Sequence, residues 1–142
     1  MTVVNPHHDE LKKILQKSKR IAIVGLSDNP QRDAYDVAAY LLKQNYEIIP
    51  VNPQVNEVLG QKAVPRLSDI EGHVDIVNVF RRPEFLYEVA QDTVKIGADI
   101  YWSQLGLVNE EAYDLLKENG ITPVMDRCIK VEHFGLLGNN FS

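Results

Sequence analysis

The sequence predicts an α/β fold: a doubly wound, five-stranded parallel sheet in the order 3-2-1-4-5, with an extra helix ahead of the first strand. Three observations lead there. Five short apolar runs, mostly β-branched, recur along the 142 residues. Helical periodicity follows most of them. The first run breaks at a lone glycine into a polar loop that opens a helix. Strands that alternate with helices pair in parallel through right-handed crossovers.

The elements follow in chain order. Leu11, Ile14 and Leu15 repeat at i, i+3, i+4, which predicts an amphipathic helix beginning near Pro6. The strand runs are Arg20–Gly25, Glu47–Val51, Asp75–Phe80, Asp99–Trp102 and Thr122–Met125. Ile21–Val24 and Ile76–Val79 are almost wholly apolar, as strands buried on both faces should be. Between the runs, Val37, Ala38, Leu41 and Leu42 define one helix face, and Phe85, Leu86, Val89 and Ala90 a second. Ala112, Leu115 and Leu116 define a shorter third. Asp33, Pro83 and Asn109 read as helix starts, and Asn45, Gly97 and Gly120 as stops.

Composition bounds the function. Apolar residues make up 44% and charged residues 25%, as in a globular chain, and the length suits one domain over residues 1–142. A net charge of −5 disfavours nucleic-acid binding. No apolar run is long enough to span a membrane. The first eight residues lack the features of a signal peptide. A single cysteine, Cys128, allows no internal disulfide and suits a reducing cytoplasm.

In an open parallel sheet, ligands bind at the carboxyl ends of the strands, where neighbouring crossovers part. That rule selects Gly25–Arg32, Val51–Pro53, Phe80–Arg82 and Ser103–Gly106, and leaves out the tail from Asp126. Backbone N–H groups between Leu26 and Tyr35, with Arg32, suit a pyrophosphate. The same residue types also fit an ordinary strand-to-helix turn, with Asp33 as its N-cap. Only Gly25 of the dinucleotide fingerprint is present, and Asn52-Pro53 stands where an NAD site carries an acidic residue. Arg81 and Arg82 form an anion site or lie in solvent. Phe80 covers a base or belongs to the core. Gln104 and Gly106 stand on the rim, and Trp102 reads as core.

Other residues carry less. His7, His8, His73 and His133 are not spaced as metal ligands, and no metal is expected. No nucleophile motif occurs. Cys128 reads as a small buried hydrophobe, or as a redox-active thiol whose pKa Arg127 would lower.

Four segments together resemble a known family. They are Ile23-Val24-Gly25-Leu26-Ser27-Asp28-Asn29-Pro30, Ile49-Pro50-Val51-Asn52-Pro53, Val79-Phe80-Arg81-Arg82-Pro83 and Met125-Asp126-Arg127-Cys128-Ile129-Lys130. In this order they resemble the small single-domain CoA-binding proteins, which are similar to the N-terminal domain of the succinyl-CoA synthetase α subunit. The resemblance runs from about Leu11 to His133. It implies a Rossmann-like fold and coenzyme A, or an acyl-CoA, as ligand. It implies Gly25, Leu26, Ser27, Pro30 and Arg32 around the pyrophosphate. Asn52 and Pro53 would border the nucleotide, and Phe80, Arg81, Gln104, Leu105 and Gly106 would line the opposite side. The synthetase's phosphorylated histidine lies in a second domain that this chain does not have, so acyl-phosphate chemistry is not implied. The expected function is CoA binding in the cytoplasm without evident catalysis, with the protein partner undefined. The alternatives are an NAD(P)-linked oxidoreductase, a CoA-thioester transferase, or a fold kept only for protein interaction.

Overall fold

A computed structural model describes residues 3–138. Five parallel strands form the sheet: β1 (Arg20–Val24), β2 (Glu47–Val51), β5 (Ile76–Val79), β6 (Ile100–Ser103) and β7 (Thr122–Val124). Their spatial order is β2-β1-β5-β6-β7. A short hairpin, β3 (Glu57–Val58) with β4 (Gln61–Lys62), follows β2. Just beyond it Val64 makes a parallel bridge to Val51, outside β2. With Val64 counted as the third member, the order runs 3-2-1-4-5-6 and contains the expected 3-2-1-4-5 progression. The run Asp75–Phe80 then holds the fourth place, beside β1, and not the outer third place. The segment between β2 and β5 is spent on the hairpin and a single 3-10 turn at Leu67–Asp69. Only Val64 is left to extend the edge.

Alternation along each strand feeds two cores. Ile21, Ile23, Ile76 and Trp102 pack on one face with Leu11 and Leu15 of α1 (His8–Lys17). Val37 and Leu41 of α2 (Asp33–Lys43) and Ile129 of α5 (Ile129–His133) complete that layer. Ala22, Val24, Val77, Val79 and Tyr101 pack on the other face. There they meet Leu86 and Val89 of α3 (Leu86–Ile96) and Ala112 and Leu116 of α4 (Glu110–Glu118). Trp102 is fully buried, as expected, and its indole N–H donates to the Arg127 carbonyl at 2.9 Å. Tyr101 is also fully buried and donates to the Leu86 carbonyl at 3.1 Å, and burial raises its phenol pKa.

The helix boundaries follow local chemistry. Asn109 caps α4 by accepting from the Ala112 amide at 2.8 Å. Pro83 opens a 3-10 turn that leads into α3, and Gly97 ends α3 in the left-handed region. The N-terminal helix starts at His8, two residues after Pro6. Asp33 is the first residue of α2 and not its cap: Arg32 holds the N-cap position and makes no side-chain capping bond.

The fold directs the chain to opposite faces at one place. The crossover from β1 to β2 runs one way across the sheet, and those from β5 to β6 and β7 run the other way. With one handedness, opposite directions put α2 on one face and α3 and α4 on the other. The chain therefore opens a crevice between the ends of β1 and β5. Gly25 makes that junction close. Its φ is +90°, and a Cβ there would lie 2.1 Å from the Phe80 carbonyl oxygen. Gly25→Ala should cost on the order of 3 kcal/mol by combining left-handed strain with that clash. Urea unfolding measures it; an unchanged midpoint would contradict so tight a junction.

Candidate functional site

The crevice widens into a cleft of about 1400 Å³ at the carboxyl edge of the sheet. That exceeds the ~300–1,000 Å³ of typical small-ligand pockets and leaves room for an extended ligand. Of the residues expected at the site, Gly25, Ser27, Arg32, Asn52, Pro53, Phe80, Arg81, Gln104 and Leu105 line it, and so does Cys128. Three do not. Leu26 is fully buried, so its side chain belongs to the core. Pro30 is exposed and outside the lining. Gly106, at φ +80°, donates its amide to Asp126 Oδ1 at 2.7 Å and braces the rim from behind.

Each loop sets its side chains in a definite way. After β1, the Ser27 hydroxyl accepts from the Asn29 amide at 3.0 Å, and Asn29 Oδ1 accepts from the Gln31 amide at 2.9 Å. These local bonds shape the turn that delivers Arg32 to the start of α2. The Asp33 and Ala34 amides donate to no acceptor among the described residues. They are the orphan donors of a helix N-terminus, where anions are favoured. After β2, Asn52 donates to the Leu26 carbonyl at 3.1 Å and accepts from the Gln54 amide at 2.8 Å. Its amide thus ties the β1 and β2 loops together. After β5, the Arg81 guanidinium lies 4.2 Å from the centre of the Phe85 ring. That cation–π contact fixes its position at the rim. Phe80 is half-buried, lining the cleft while packing on the α1–α2–α5 core.

One wall was not legible from the strand-end rule. Asp126, Arg127, Cys128 and α5 fold back over the cleft, adding Lys130 and Val131 to its lining. Three bonds join this wall to the β6 loop. Gly106 donates to Asp126; the Arg127 amide donates to the Ser103 carbonyl at 3.4 Å; the Ile129 amide donates to Gln104 Oε1 at 3.3 Å. Gln104 Oε1 also accepts from Asn78 Nδ2 at 3.4 Å. Lys130 pairs with Asp36 of α2 at 2.7 Å. Cys128 is half-buried, while the Arg127 guanidinium donates to the Asp126 carbonyl at 2.8 Å.

The far end of α5 is pinned as well. His133 is buried, with Nδ1 2.7 Å from the Tyr40 hydroxyl and its ring edge-on to Tyr46. Burial lowers the His133 pKa, raises that of Tyr40 and pushes that of Tyr46 up to about 12. At the opposite edge of the sheet, His73, Asp75 and Asp99 bring donor atoms within 4.8 Å of one another. Their sequence separations hid this grouping. His73 Nε2 lies 2.9 Å from Asp99 Oδ2, and Asp75 Oδ2 accepts from the Lys19 and Arg20 amides at 2.8 and 2.9 Å. Asp99 raises the His73 pKa, chiefly through its hydrogen bond.

Electrostatically, the cleft differs from the rest of the chain. Arg32, Arg81, Arg82 and Lys130 line it against only Asp33 and Asp36, although the chain as a whole carries −5. The donor set fits a polyanionic nucleotide: guanidinium groups on two loops, unbonded amides at a helix start, and a long cleft.

The fold is an open, doubly wound α/β sheet with a cleft at its topological switch point, the place where sheets of this class bind ligands. Residues 19–134 match the family model of the CoA binding domain, and the chain belongs to that family. It is 56% identical over 129 residues to the uncharacterized protein YneT of Bacillus subtilis (strain 168), covering 91% of this chain and 96% of that one. It is 32% identical over 96 residues to the acetate–CoA ligase [ADP-forming] II subunit alpha of Pyrococcus furiosus, covering 64% of this chain. The match spans only about a fifth of the ligase subunit, 21%. Among solved structures, a hypothetical protein from Pyrococcus horikoshii OT3 superposes with a TM-score of 0.90 at 37% identity, covering 97% of this chain and all of that one. Among the described residues no helix is long and apolar enough to cross a membrane.

The pinned α5 wall has a pH signature. Because the folded His133 pKa is lowered, its contribution to stability is present above the unfolded value of about 6.5 and is lost as pH falls through the folded value. His133→Gln removes that titration. Its melting temperature should fall less steeply than that of the parent below about pH 6.5. Parallel profiles would contradict a neutral, buried His133.

Proposed function

We propose that the cleft binds coenzyme A, or an acyl-CoA, at the carboxyl ends of the parallel strands, and that this binding is the protein's activity. The observation that carries the reading is the reversed charge of the lining, four cationic side chains against two acidic ones in an acidic chain. In a member of the CoA binding domain family, that charge marks where the phosphates go. Arg32, Arg81 and the Asp33 and Ala34 amides are the proposed phosphate donors. Gly25 keeps the β1 and β5 loops in contact, since a Cβ there would strike the Phe80 carbonyl, and so holds the two groups of donors beside one another. Gln104, held by the Asn78 and Ile129 contacts, presents the remainder of its amide to the ligand's arm. A cytoplasmic location belongs to the same proposal, on the strength of the single cysteine.

An NAD(P) site is the weaker reading. Asn52, which stands at the ribose-binding position, spends its amide on the Leu26 carbonyl and the Gln54 amide. The glycines that bring a dinucleotide's pyrophosphate against the backbone are missing after Gly25.

A ligand that binds only the folded state adds roughly 2.7 kcal/mol at a hundredfold excess over its Kd. CoA should therefore raise the melting temperature while NAD at equal concentration does little. An equal shift with NAD, or a shift with NAD alone, would overturn the reading. The anchors are tested separately. Charge-assisted hydrogen bonds are worth about 1.5–3 kcal/mol. Arg32→Ala and Arg81→Ala should each weaken CoA binding about tenfold or more by calorimetry. Unchanged affinity in both would remove these two arginines from the phosphate site.

A further inference from the structure

We propose that the ligand is an acyl thioester whose apolar chain runs onto Leu105 and Val131, so that the site prefers a medium-chain acyl-CoA to free CoA. The inference rests on the CoA reading above and specifies which form is held. The cleft lining carries two chemically different sets of side chains. One is cationic, with Arg32 at the start of α2 and Arg81 and Arg82 after β5. The other is apolar, Leu105 and Leu107 after β6 and Val131 on α5, and the one cation beside it, Lys130, is paired with Asp36 at 2.7 Å.

Leu105 is 65% exposed and Val131 60% exposed, among the most exposed large apolar side chains of the described residues. Scattered exposed leucines are ordinary, but these two line the same cleft. Nor are they on loose loops. The neighbours of Leu105 on both sides are held: Gly106 by Asp126 at 2.7 Å and Gln104 by the Ile129 amide at 3.3 Å. The contact between Arg127 and Ser103 closes the same seam. The β6 loop and α5 are thus braced together, each placing an apolar side chain in solvent at the cleft. A surface held rigid in this way gives up little entropy when it is covered.

The charge asymmetry says which part of the ligand covers it. Phosphates are drawn to the arginines, leaving the uncharged end of a long ligand for Leu105 and Val131. A free thiol would end there and leave Leu105 and Val131 wet. A hydrocarbon chain continuing from the sulfur would dehydrate them. A tenfold gain is about 1.4 kcal/mol, which corresponds to burying about two methylene groups, so a six-carbon chain is long enough to read.

The test compares hexanoyl-CoA with free CoA by calorimetry on the intact chain, and on a Leu105→Ser, Val131→Ser double variant. Both positions are exposed, so folding is unaffected, and circular dichroism confirms it. The expected result is hexanoyl-CoA bound about tenfold or more tightly than CoA by the parent, with the ratio falling to within about twofold in the double variant. Equal affinities in the parent would overturn the inference while leaving CoA binding intact. That is also the result expected if the purine, or a second copy of the chain seen as a doubled mass in light scattering, covers these side chains. A tenfold preference that survives in the double variant would place the acyl chain elsewhere and overturn it too. No heat with either ligand would remove the CoA reading itself.

Discussion

The site depends on how closely the ends of β1 and β5 approach. At Gly25 the chain passes so near the Phe80 carbonyl that no Cβ fits, at a φ that other residues rarely adopt. The close junction holds two neighbouring strands level at their carboxyl ends. The chain then leaves them for opposite faces of the sheet, α2 for one and α3 for the other. A crevice must open between them. Every group argued to touch the ligand is placed relative to that crevice: the α2 amides on one side, Arg81 on its Phe85 ring on the other, and Gln104 one strand further along.

The second determinant is the way the chain closes the cleft. After β7 the backbone turns at Asp126, whose φ is +60°. That turn sends α5 back across the strand ends, where it would otherwise continue away from them. The β6 loop and α5 are then joined by backbone and amide contacts, and α5 is fastened to α2 by Lys130 with Asp36 and by His133 with Tyr40. Lys130 also offsets a carboxylate that would otherwise face an anionic ligand. A structural ion pair and the electrostatics of the cleft are therefore one arrangement.

The strands were legible because buried parallel strands are β-branched on both faces, and their ends agree to within a residue or two. The strand-end rule also located most of the cleft. What escaped the sequence has physical causes. The β3–β4 hairpin turns on Leu59 and Gly60, with φ of +53° and +76°, and leucine is not a residue that signals such a turn. The sheet order was legible as a pattern, but not the fact that Val64 alone would fill its third place. The α5 wall was invisible to a rule that counts only loops directly following strands at the switch point. Leu26 was expected at the site, yet the turn at Gly25 (φ +90°) breaks the strand alternation and puts its side chain in the core beside Ile21 and Ile23, not beside Ala22 and Val24. His73, Asp75 and Asp99 meet only because the starts of β5 and β6 are neighbours.

The central claim is that CoA lies in the switch-point cleft, and residue-resolved NMR tests it most directly. Titrating CoA into labelled protein should shift the backbone amides of Gly25 to Ala34, Phe80 to Arg82, Gln104 and Cys128 to Val131 together, with one affinity. The amides near His73 and Gly97, at the opposite edge, should stay in place. Shifts confined to that far edge, or no shifts at saturating CoA, would contradict the account.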